Sequence, residues 1–572
     1  MKPWHFGNTT VRSAFRLRDG LVALSASSLI GDLGGHERES EFAWLLDEAG
    51  VVSLDRGHAE DVSDLGRKWR AAMTQLGFLV PELRSTSKNL DQSWIGRSFT
   101  LTANGRRLIA SETVPAMQEC FLRSLAAYRI PSVLEPRYHV EQFSPLRLTL
   151  AIMMELDQRI GDSRLDFMEL AVIVQVSHGG DSPESIVNRI IEFRTQRESS
   201  DAKRRFDNEA LVEVSRVNGL AASTYRDYAD CNIRYLKATG IVLSQGRGIA
   251  IVPEKRVLVA QLIEQPLVPM TPREYLVGLC AGAALPTDHR ASAEIVLDDL
   301  VERARARGLT FNLAGRPRTD VADISILRYE LEELIAEDKE IAYAADQVNL
   351  VEEISEYLRL IAERATTATL PNGQSIFVPK SEAPAYLEWA TWRAFLAMNE
   401  LVSKPYECRR FKVDQDFLPI GTAPGGGPDL IFEFDSYVLV VEVTLTESSR
   451  QEAAEGEPVR RHVADIALDH SNRGTGKPIY GLFLANKIDS NTAETFRIGV
   501  WYFSDDSRTQ LDIVPITLTS FRDFFDAVVQ SHAQGHTALL RTLNAATAKR
   551  DMPGGAPAWK TEVDQLLRTA NL

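Results

Sequence analysis

The sequence has little cysteine and no long hydrophobic run. Its four cysteines are scattered along 572 residues, which excludes a CxxC metal knuckle and a dense disulfide framework. No stretch approaches the ~20 consecutive apolar residues that a membrane-spanning helix requires, and residues 1–18 lack the apolar centre of a signal peptide. These absences predict a cytoplasmic protein whose thiols are reduced.

The composition is that of an ordinary globular protein. Hydrophobic residues make up 44% and charged residues 25%, which excludes an extended disordered chain. At roughly 100–200 residues per domain, the length predicts about three or four folded units. The helix and strand patterns along the chain make the expected fold class multidomain α+β. The 64 lysines and arginines and the 79 acids give a net charge of −15. This total disfavours a polyanionic partner, but affinity for phosphates depends on local charge.

The start of the chain is locally basic, within a first predicted domain of residues 1–140. The pattern predicts a helix around 68–76 that ends at Gly77. A strand pattern at 98–102 then continues into 104–109. We interpret this helix and strand unit as a winged-helix-like subdomain.

A second domain, residues 141–270, carries a clearer version of the same pattern. Helical spacing covers 221–239, Gly240 ends the helix, and 241–252 is typical of a β-hairpin. This helix and wing predict a second winged-helix-like recognition subdomain. Between residues 189 and 256 there are thirteen bases and nine acids, a local net charge of +4 that fits a DNA-facing surface.

One stripe of the 221–239 helix is charged, with Arg226, Asp230, Arg234 and Lys237 at helical spacing. Two interpretations stay open for this stripe. It is either a solvated face with internal ion pairs or a surface that contacts DNA.

Residues 271–378 are predicted to form a helical linker with an acidic outer face. Ten acids and one base lie between residues 330 and 356, while the apolar residues keep helical spacing. After a turn-rich break at 369–375, the sequence alternates strand and helix patterns. Residues 379–572 are therefore expected to be an α/β domain.

Two carboxylates in this last domain have an unusual setting. Strand patterns at 429–434 and 438–444 flank a turn and predict a hairpin. Glu442 lies in the middle of an apolar strand, where a buried carboxylate is costly unless it is paired or metal-bound. Asp429, thirteen residues earlier, could meet Glu442 across the hairpin. The two charges would repel unless a divalent cation such as Mg²⁺ bridged them.

Further acids and bases flank the predicted hairpin. Glu388 lies on an otherwise apolar helical stripe, where burial rules disfavour an acid. Glu455 follows Glu442 by thirteen residues, and Pro458 predicts the first turn of a helix just after it. The early residues of that helix include Arg460, Arg461 and His462.

The chain contains three such segments in a fixed order: YLEWATW at 386–392, GGPDLIFEFDSYVLVVEVT at 426–444 and QEAAEGEPVRRH at 451–462. Together they resemble the catalytic segments of the AlwI-like family of type IIS restriction endonucleases, which includes site-specific nicking relatives. The pattern PD, x12, ExT resembles the metal-binding core of the PD-(D/E)xK nucleases. A less strict likeness at 7–21, 188–198 and 234–255 extends the resemblance over most of the chain.

The resemblance implies a C-terminal PD-(D/E)xK-type nuclease domain behind a DNA-recognition region. Such an enzyme recognises a short asymmetric site in double-stranded DNA and cleaves a few base pairs outside it with Mg²⁺. The implied catalytic acids are Glu388, Asp429, Glu442 and Glu455. The implied metal ligands are Asp429, Glu442 and the backbone carbonyl of Val443.

One position departs from the general nuclease pattern, because Thr444 stands where the catalytic lysine is usual. Glu455 is the first candidate for orienting the attacking water. His462 is the second, and phosphate contact or helix packing is its other interpretation.

DNA contacts are predicted in both halves of the chain. Candidates for recognition are Arg12, Arg16, Arg226, Asn232 and Arg234. Arg460 and Arg461 are candidates for holding the scissile strand, or are solvent-exposed. The resemblance also implies a cognate DNA methyltransferase and, for double-strand cleavage, dimerisation or a second subunit.

A different class of function stays open: a sequence-specific DNA-binding regulator with an inactive nuclease-like domain. The intact acids count against it, because an inactive domain has no reason to keep buried carboxylates. Cleavage that requires Mg²⁺ would distinguish the two.

Overall fold

The computed structural model describes residues 2–54, 61–83, 92–447, 450–531 and 534–569. The chain divides into two compact units, Met1–Ile335 and Ala336–Leu572. The described residues form a helix-rich α+β structure, which confirms the predicted class at that level. None of the described helices combines the length and the apolar composition needed to cross a membrane.

The first unit is mainly helical. Its helices are α1 Arg16–Ser25, α2 His36–Glu48, α3 Ser63–Gln75, α4 Ala103–Ala110, α5 Val114–Ala127, α6 Pro145–Ile160, α7 Phe167–Val172, α8 Pro183–Glu198, α9 Lys203–Asn218, α10 Ala222–Ala238, α11 Arg256–Glu264, α12 Pro272–Ala281 and α13 Arg290–Ala306. The next helix, α14 Val321–Asp346, contains the division between the units. A small antiparallel sheet has the order β1-β3-β2, from β1 Leu165–Asp166, β2 Val242–Gln245 and β3 Gly248–Ile251.

The predicted helix and hairpin of the second domain are confirmed. Helix α10 ends before Gly240, which has a φ of +69° that favours glycine. Strands β2 and β3 form the hairpin, and Gly246, with a φ of +58°, lies in its turn. The two-residue strand β1 adds to this sheet, and it is too short to show periodicity in a sequence.

The strand expected at 104–109 is wrong. Helix α4 covers these residues, and the preceding segment makes only an isolated bridge between Leu79 and Leu101. The physical reason is the N-cap, because the Thr102 hydroxyl accepts a 2.9 Å hydrogen bond from the Gly105 N–H. Thr102 therefore starts a helix where its β-branched side chain had indicated a strand.

The second unit combines helices with a mixed sheet. Its strands are β4 Thr367–Thr369, β5 Ser375–Phe377, β6 Leu430–Glu433, β7 Val438–Thr444, β8 Ile479–Ala485, β9 Val500–Tyr502, β10 Arg508–Gln510 and β11 Asp512–Thr517. Its later helices are α15 Val351–Ala362, α16 Ala383–Met398, α17 Glu457–Asn472, α18 Ser490–Ile498, α19 Leu518–Ser531, α20 Gly535–Ala548 and α21 Gly555–Arg568. The residues of the predicted linker, 271–378, are shared between the two units. Helix α15 packs in the core of the second unit, and the predicted break at 369–375 lies in the β4–β5 hairpin.

The main sheet of this unit has the order β11-β8-β7-β6. Strands β6 and β7 are antiparallel, which confirms the predicted hairpin, and β7 and β8 run parallel. Helices α16 and α17 both contact β7. The β6–β7 hairpin is therefore close to both flanking helices, and this arrangement positions the acidic side chains.

Candidate active site

The β6–β7 hairpin places Asp429 and Glu442 next to each other. Leu430 pairs with Val441, so Asp429, one residue earlier, stands opposite Glu442. The Asp429 Oδ2 atom accepts a 2.9 Å hydrogen bond from the backbone N–H of Val443. Glu442 is only 7% exposed. The hairpin register thus brings together the two carboxylates that the sequence paired.

Helix α16 contributes the third carboxylate. Glu388 is 4% exposed, and its Oε2 atom accepts a 2.7 Å hydrogen bond from the Ala423 N–H. Nearly every residue of α16 is buried, because the helix packs between the sheet and α15. Its packing fixes the direction of Glu388, whose pKa is raised by the charges of Asp429 and Glu442 in addition to burial.

Helix α17 and the turn before it contribute Glu455 and His462. Glu455 lies in a π-helical turn, Glu452–Gly456, that runs directly into α17. Pro458 occupies the first turn of α17, as predicted, where its missing N–H costs nothing. His462 Nδ1 lies 2.6 Å from Glu442 Oε1 in a buried contact. The histidine therefore holds a carboxylate of the hairpin in position.

The electrostatics of these acids indicate that they lie close to one another. Burial, followed by the charge of Asp429, raises the pKa of Glu388 to about 9. Burial and the charge of Glu442 raise the pKa of Asp429 to about 8. Burial and the charge of Glu455 raise the pKa of Glu442 to about 8. Burial also raises the pKa of Glu455, with an opposing hydrogen bond from Thr444. The four acids thus form one interacting group.

These residues fit a hydrated magnesium ion. In the described parts of the chain, no three histidine, cysteine or acidic side chains are already gathered as a metal cage. Mg²⁺ does not need one, because it usually keeps several waters and binds through one or two carboxylates. Asp429 and Glu442 supply hard oxygen ligands, and their raised pKa values show that a positive charge there would be stabilised. Burial lowers the pKa of His462, so the histidine favours its neutral form.

Without a divalent cation, we expect the second unit to lose stability as pH rises from about 6.5 to about 8.5. The unfolded chain ionises these carboxyls near pH 4, whereas the folded pKa values of Glu388, Asp429 and Glu442 are about 8 to 9. Over this interval the unfolded state binds fewer protons than the folded state, so the free energy of unfolding falls with rising pH. Thermal denaturation in EDTA measures this, and Mg²⁺ should raise the midpoint more at pH 8.5 than at pH 6.5. A midpoint that rises with pH in EDTA would contradict the raised pKa values.

The structure corrects one predicted DNA contact. Asn232 is fully buried in α10, where its Oδ1 accepts a 2.9 Å hydrogen bond from the Phe6 N–H. Its amide nitrogen donates to the Trp4 carbonyl at 3.2 Å. Asn232 therefore ties the N-terminal segment to α10 and is not available to a base. Helical periodicity showed the face of Asn232 but not the segment that covers it.

The other predicted recognition residues differ in exposure. The Arg234 guanidinium donates to the carbonyls of Val11 and Arg12 and pairs with Asp230, which gives it a structural contact to the N-terminal segment. Arg12 is 62% exposed, and Arg226 is also exposed. Arg12 also pairs with Asp230 at 3.7 Å, and Arg226 donates to Asn208, so the contact of these two residues with DNA stays a prediction.

Arg16 is a partly buried arginine of α1. It pairs with Asp19 at 2.9 Å and donates to the Gly50 carbonyl. The contact with Gly50 ties α1 to the segment just after α2, so the predicted DNA contact of Arg16 would have to use its remaining donors.

Arg460 and Arg461 lie in the first turns of α17. The Arg460 guanidinium donates to the Gly456 carbonyl at 3.0 Å and lies 5.7 Å from the Trp501 ring centroid. Arg461 pairs with Glu457 at 3.1 Å in a partly exposed contact. Both are close to the turn that carries Glu455, and their contact with DNA stays a prediction.

Sequence reasoning missed Arg410. It precedes β6, where Arg409 forms a bridge with Leu430, and its positive charge opposes the raised pKa values of Glu388 and Glu442. No motif marked this residue, because its position beside the hairpin depends on a pairing between distant segments. The only feature of the sequence that could have indicated Arg410 as a site residue is its position as a basic residue upstream of a glycine run.

Solved structures of restriction endonucleases share limited similarity with this chain. The small subunit R.BspD6I2 of the heterodimeric restriction endonuclease R.BspD6I is 21% identical, with 37% of this chain and 97% of that chain covered and a TM-score of 0.28. Restriction endonuclease FokI is 11% identical, with 95% and 99% covered and a TM-score of 0.26.

No curated protein matches the sequence. The family model described as AlwI restriction endonuclease matches residues 74–524, which span both units and include all four acids of the candidate site. The predicted family is thereby confirmed, and the chain belongs to the AlwI restriction endonuclease family.

Proposed function

We propose that the chain is a type IIS-like restriction endonuclease. It recognises a short asymmetric site in double-stranded DNA and hydrolyses phosphodiester bonds a few base pairs outside it with Mg²⁺. The observation that carries this proposal is the close approach of four acids from α16, the β6–β7 hairpin and the turn before α17. Burial raises the pKa of all four, and the charges of Asp429, Glu442 and Glu455 each raise the pKa of a neighbouring acid further. Family membership supports the nuclease activity.

The residues of the site have separate tasks in this mechanism. Asp429, Glu442 and the Val443 carbonyl would hold the ion, which lowers the pKa of a bound water and neutralises phosphate oxygens. His462 fixes the direction of Glu442 through the 2.6 Å contact. Glu455, which Thr444 contacts through a side-chain hydrogen bond, is our candidate for accepting the proton of the attacking water.

Recognition is assigned to the first unit, with the helix α10 and the β2–β3 hairpin as a winged-helix-like element. The exposed guanidinium of Arg226 lies in the first half of α10, and Arg12 lies in the N-terminal segment that α10 holds. An arginine fork can bind a guanine edge or a phosphate. Arg234 would act indirectly, by fixing the carbonyls around Arg12.

Partners are proposed from the family and from the site. A host that keeps such an enzyme needs a cognate DNA methyltransferase to protect its own sites. The described residues supply one set of four acids, which serves one strand at a time. We therefore propose nicking by a single chain and dimerisation or a second subunit for double-strand cleavage.

Metal-dependent cleavage is the test of this function. Supercoiled plasmids and a longer genomic DNA are incubated with the protein and Mg²⁺, or with EDTA, and the ends on both strands are sequenced. We expect discrete nicks or fragments with Mg²⁺ only, at a constant distance to one side of a shared sequence. A mobility shift under both conditions without any cleavage would instead identify a DNA-binding regulator.

A further inference from the structure

Arg410 lies beside the hairpin that carries Asp429 and Glu442. Its backbone N–H donates a 3.4 Å hydrogen bond to the Asp429 carbonyl, so the two residues are held side by side. The neighbouring Arg409 has a different task, because its guanidinium pairs with Glu340 at 2.7 Å. The two adjacent arginines thus serve different parts of the unit.

The Arg410 guanidinium rests on the glycine loop before β6. Its Nη1 atom donates to the Pro428 carbonyl at 3.3 Å. A β-carbon on Gly427 would lie 2.4 Å from this Nη1 and 2.9 Å from Cζ, so the guanidinium occupies the space that the missing side chain leaves. Gly425, in the same loop, has no atom within 4 Å of a β-carbon position. Gly427 therefore has a specific contact that Gly425 lacks.

The charge of Arg410 acts on the acidic group, and no ion pair among the described residues neutralises it. Among the described residues, no carboxylate forms an ion pair with its partly exposed guanidinium, and Pro428 is the only hydrogen-bond acceptor found for it. Its charge nevertheless acts on Glu388, Glu442 and His462. The N–H donors of the Arg410 guanidinium that do not bond to Pro428 can bind an anion near these groups.

We propose that Arg410 is a catalytic residue that binds the scissile phosphate of DNA, and that Gly427 is the positioning residue that lets the guanidinium lie there. This inference rests on the proposed nuclease function. An arginine fork matches two phosphate oxygens, and it supplies the cation that Thr444 cannot. Arg410 transfers no proton: the attacking water forms the new P–O bond and gives its proton to Glu455, the P–O3′ bond breaks, and the leaving 3′-oxygen takes a proton from solvent, while the arginine stabilises the charge on the non-bridging oxygens.

The test compares four variants on a DNA whose cut position has been mapped: Arg410→Gln, Arg410→Lys, Gly427→Ala and the matched control Gly425→Ala. Single-turnover cleavage is measured with Mg²⁺. We expect Arg410→Gln to lower the rate about 10²-fold and Arg410→Lys to restore part of it. Gly427→Ala should slow cleavage because its β-carbon displaces the flexible end of Arg410, whereas Gly425→Ala should cleave like the wild type.

A binding measurement separates phosphate contact from a structural role. Affinity is measured in Ca²⁺ for DNA with a normal phosphate and for DNA with a neutral methylphosphonate at the cut position. The wild type should lose affinity on this change, and Arg410→Gln should lose less, because its partner is already absent. Each variant is its own reference, so a smaller folded fraction cannot produce the difference.

The assignment of Arg410 would be overturned by two results together: the methylphosphonate lowers the affinity of the wild type and of Arg410→Gln equally, and Arg410→Gln cleaves at the wild-type rate. Cleavage by the wild type in that experiment would leave the nuclease function standing. A wild type that never cleaves would instead refute the proposed function itself.

Discussion

The variant Glu442→Gln is expected to cleave DNA at least roughly 10³-fold more slowly than the wild type in single turnover. Glutamine keeps the size of the side chain and its contact with His462 but removes the negative charge from the proposed metal site. Site-specific binding should stay within about twofold of the wild-type affinity, because recognition is assigned to the first unit. Gel mobility in Ca²⁺ and cleavage in Mg²⁺ measure the two properties on the same DNA.

A matched control lies in the same hairpin. Glu433, on β6, pairs with Lys477 at 2.8 Å and stands opposite Val438 at the other end of the strand pair from Asp429. Glu433→Gln should therefore cleave at the wild-type rate. If Glu442→Gln also cleaved at that rate, the metal would have to bind elsewhere.

The local parts of this site could be predicted because short-range signals determine them. Two strand patterns flanking a turn at Asp435-Ser436 specified the hairpin and therefore the register of Asp429 against Glu442. Pro458 specified the start of α17 and the position of His462 within it. An acid on an apolar stripe or strand was the strongest signal, because burial without a purpose is costly.

The remaining features depend on contacts between distant segments. The burial of Asn232 follows from residues 4–6, more than 220 positions away, which no helical pattern can show. The setting of Arg410 follows from the pairing of its segment with the start of β6. The strand expected at 104–109 failed for a local reason, since a threonine that favours strands also caps helices.

Replacing Arg393 should have the largest effect on the stability of the second unit. Arg393 is 1% exposed on α16, and its guanidinium donates to Gln347 at 2.6 Å and to Glu353 at 2.7 Å. It also lies 4.6 Å from the Trp389 ring centroid. Arg393→Met removes one partner of a buried ion pair and leaves Glu353 uncompensated, which costs about 3–5 kcal/mol. Thermal denaturation should show a midpoint roughly 10 °C lower.

The buried setting, rather than the loss of an arginine, is the cause of this expected effect. Arg473→Met is the matched control, because its pair with Asp469 is about half exposed on both sides and should contribute less than about 1 kcal/mol. Adding Glu353→Met to Arg393→Met should recover part of the lost stability, since the second change removes the unpaired charge. A double variant that is less stable than Arg393→Met alone would show that Glu353 stabilises the core independently of the arginine.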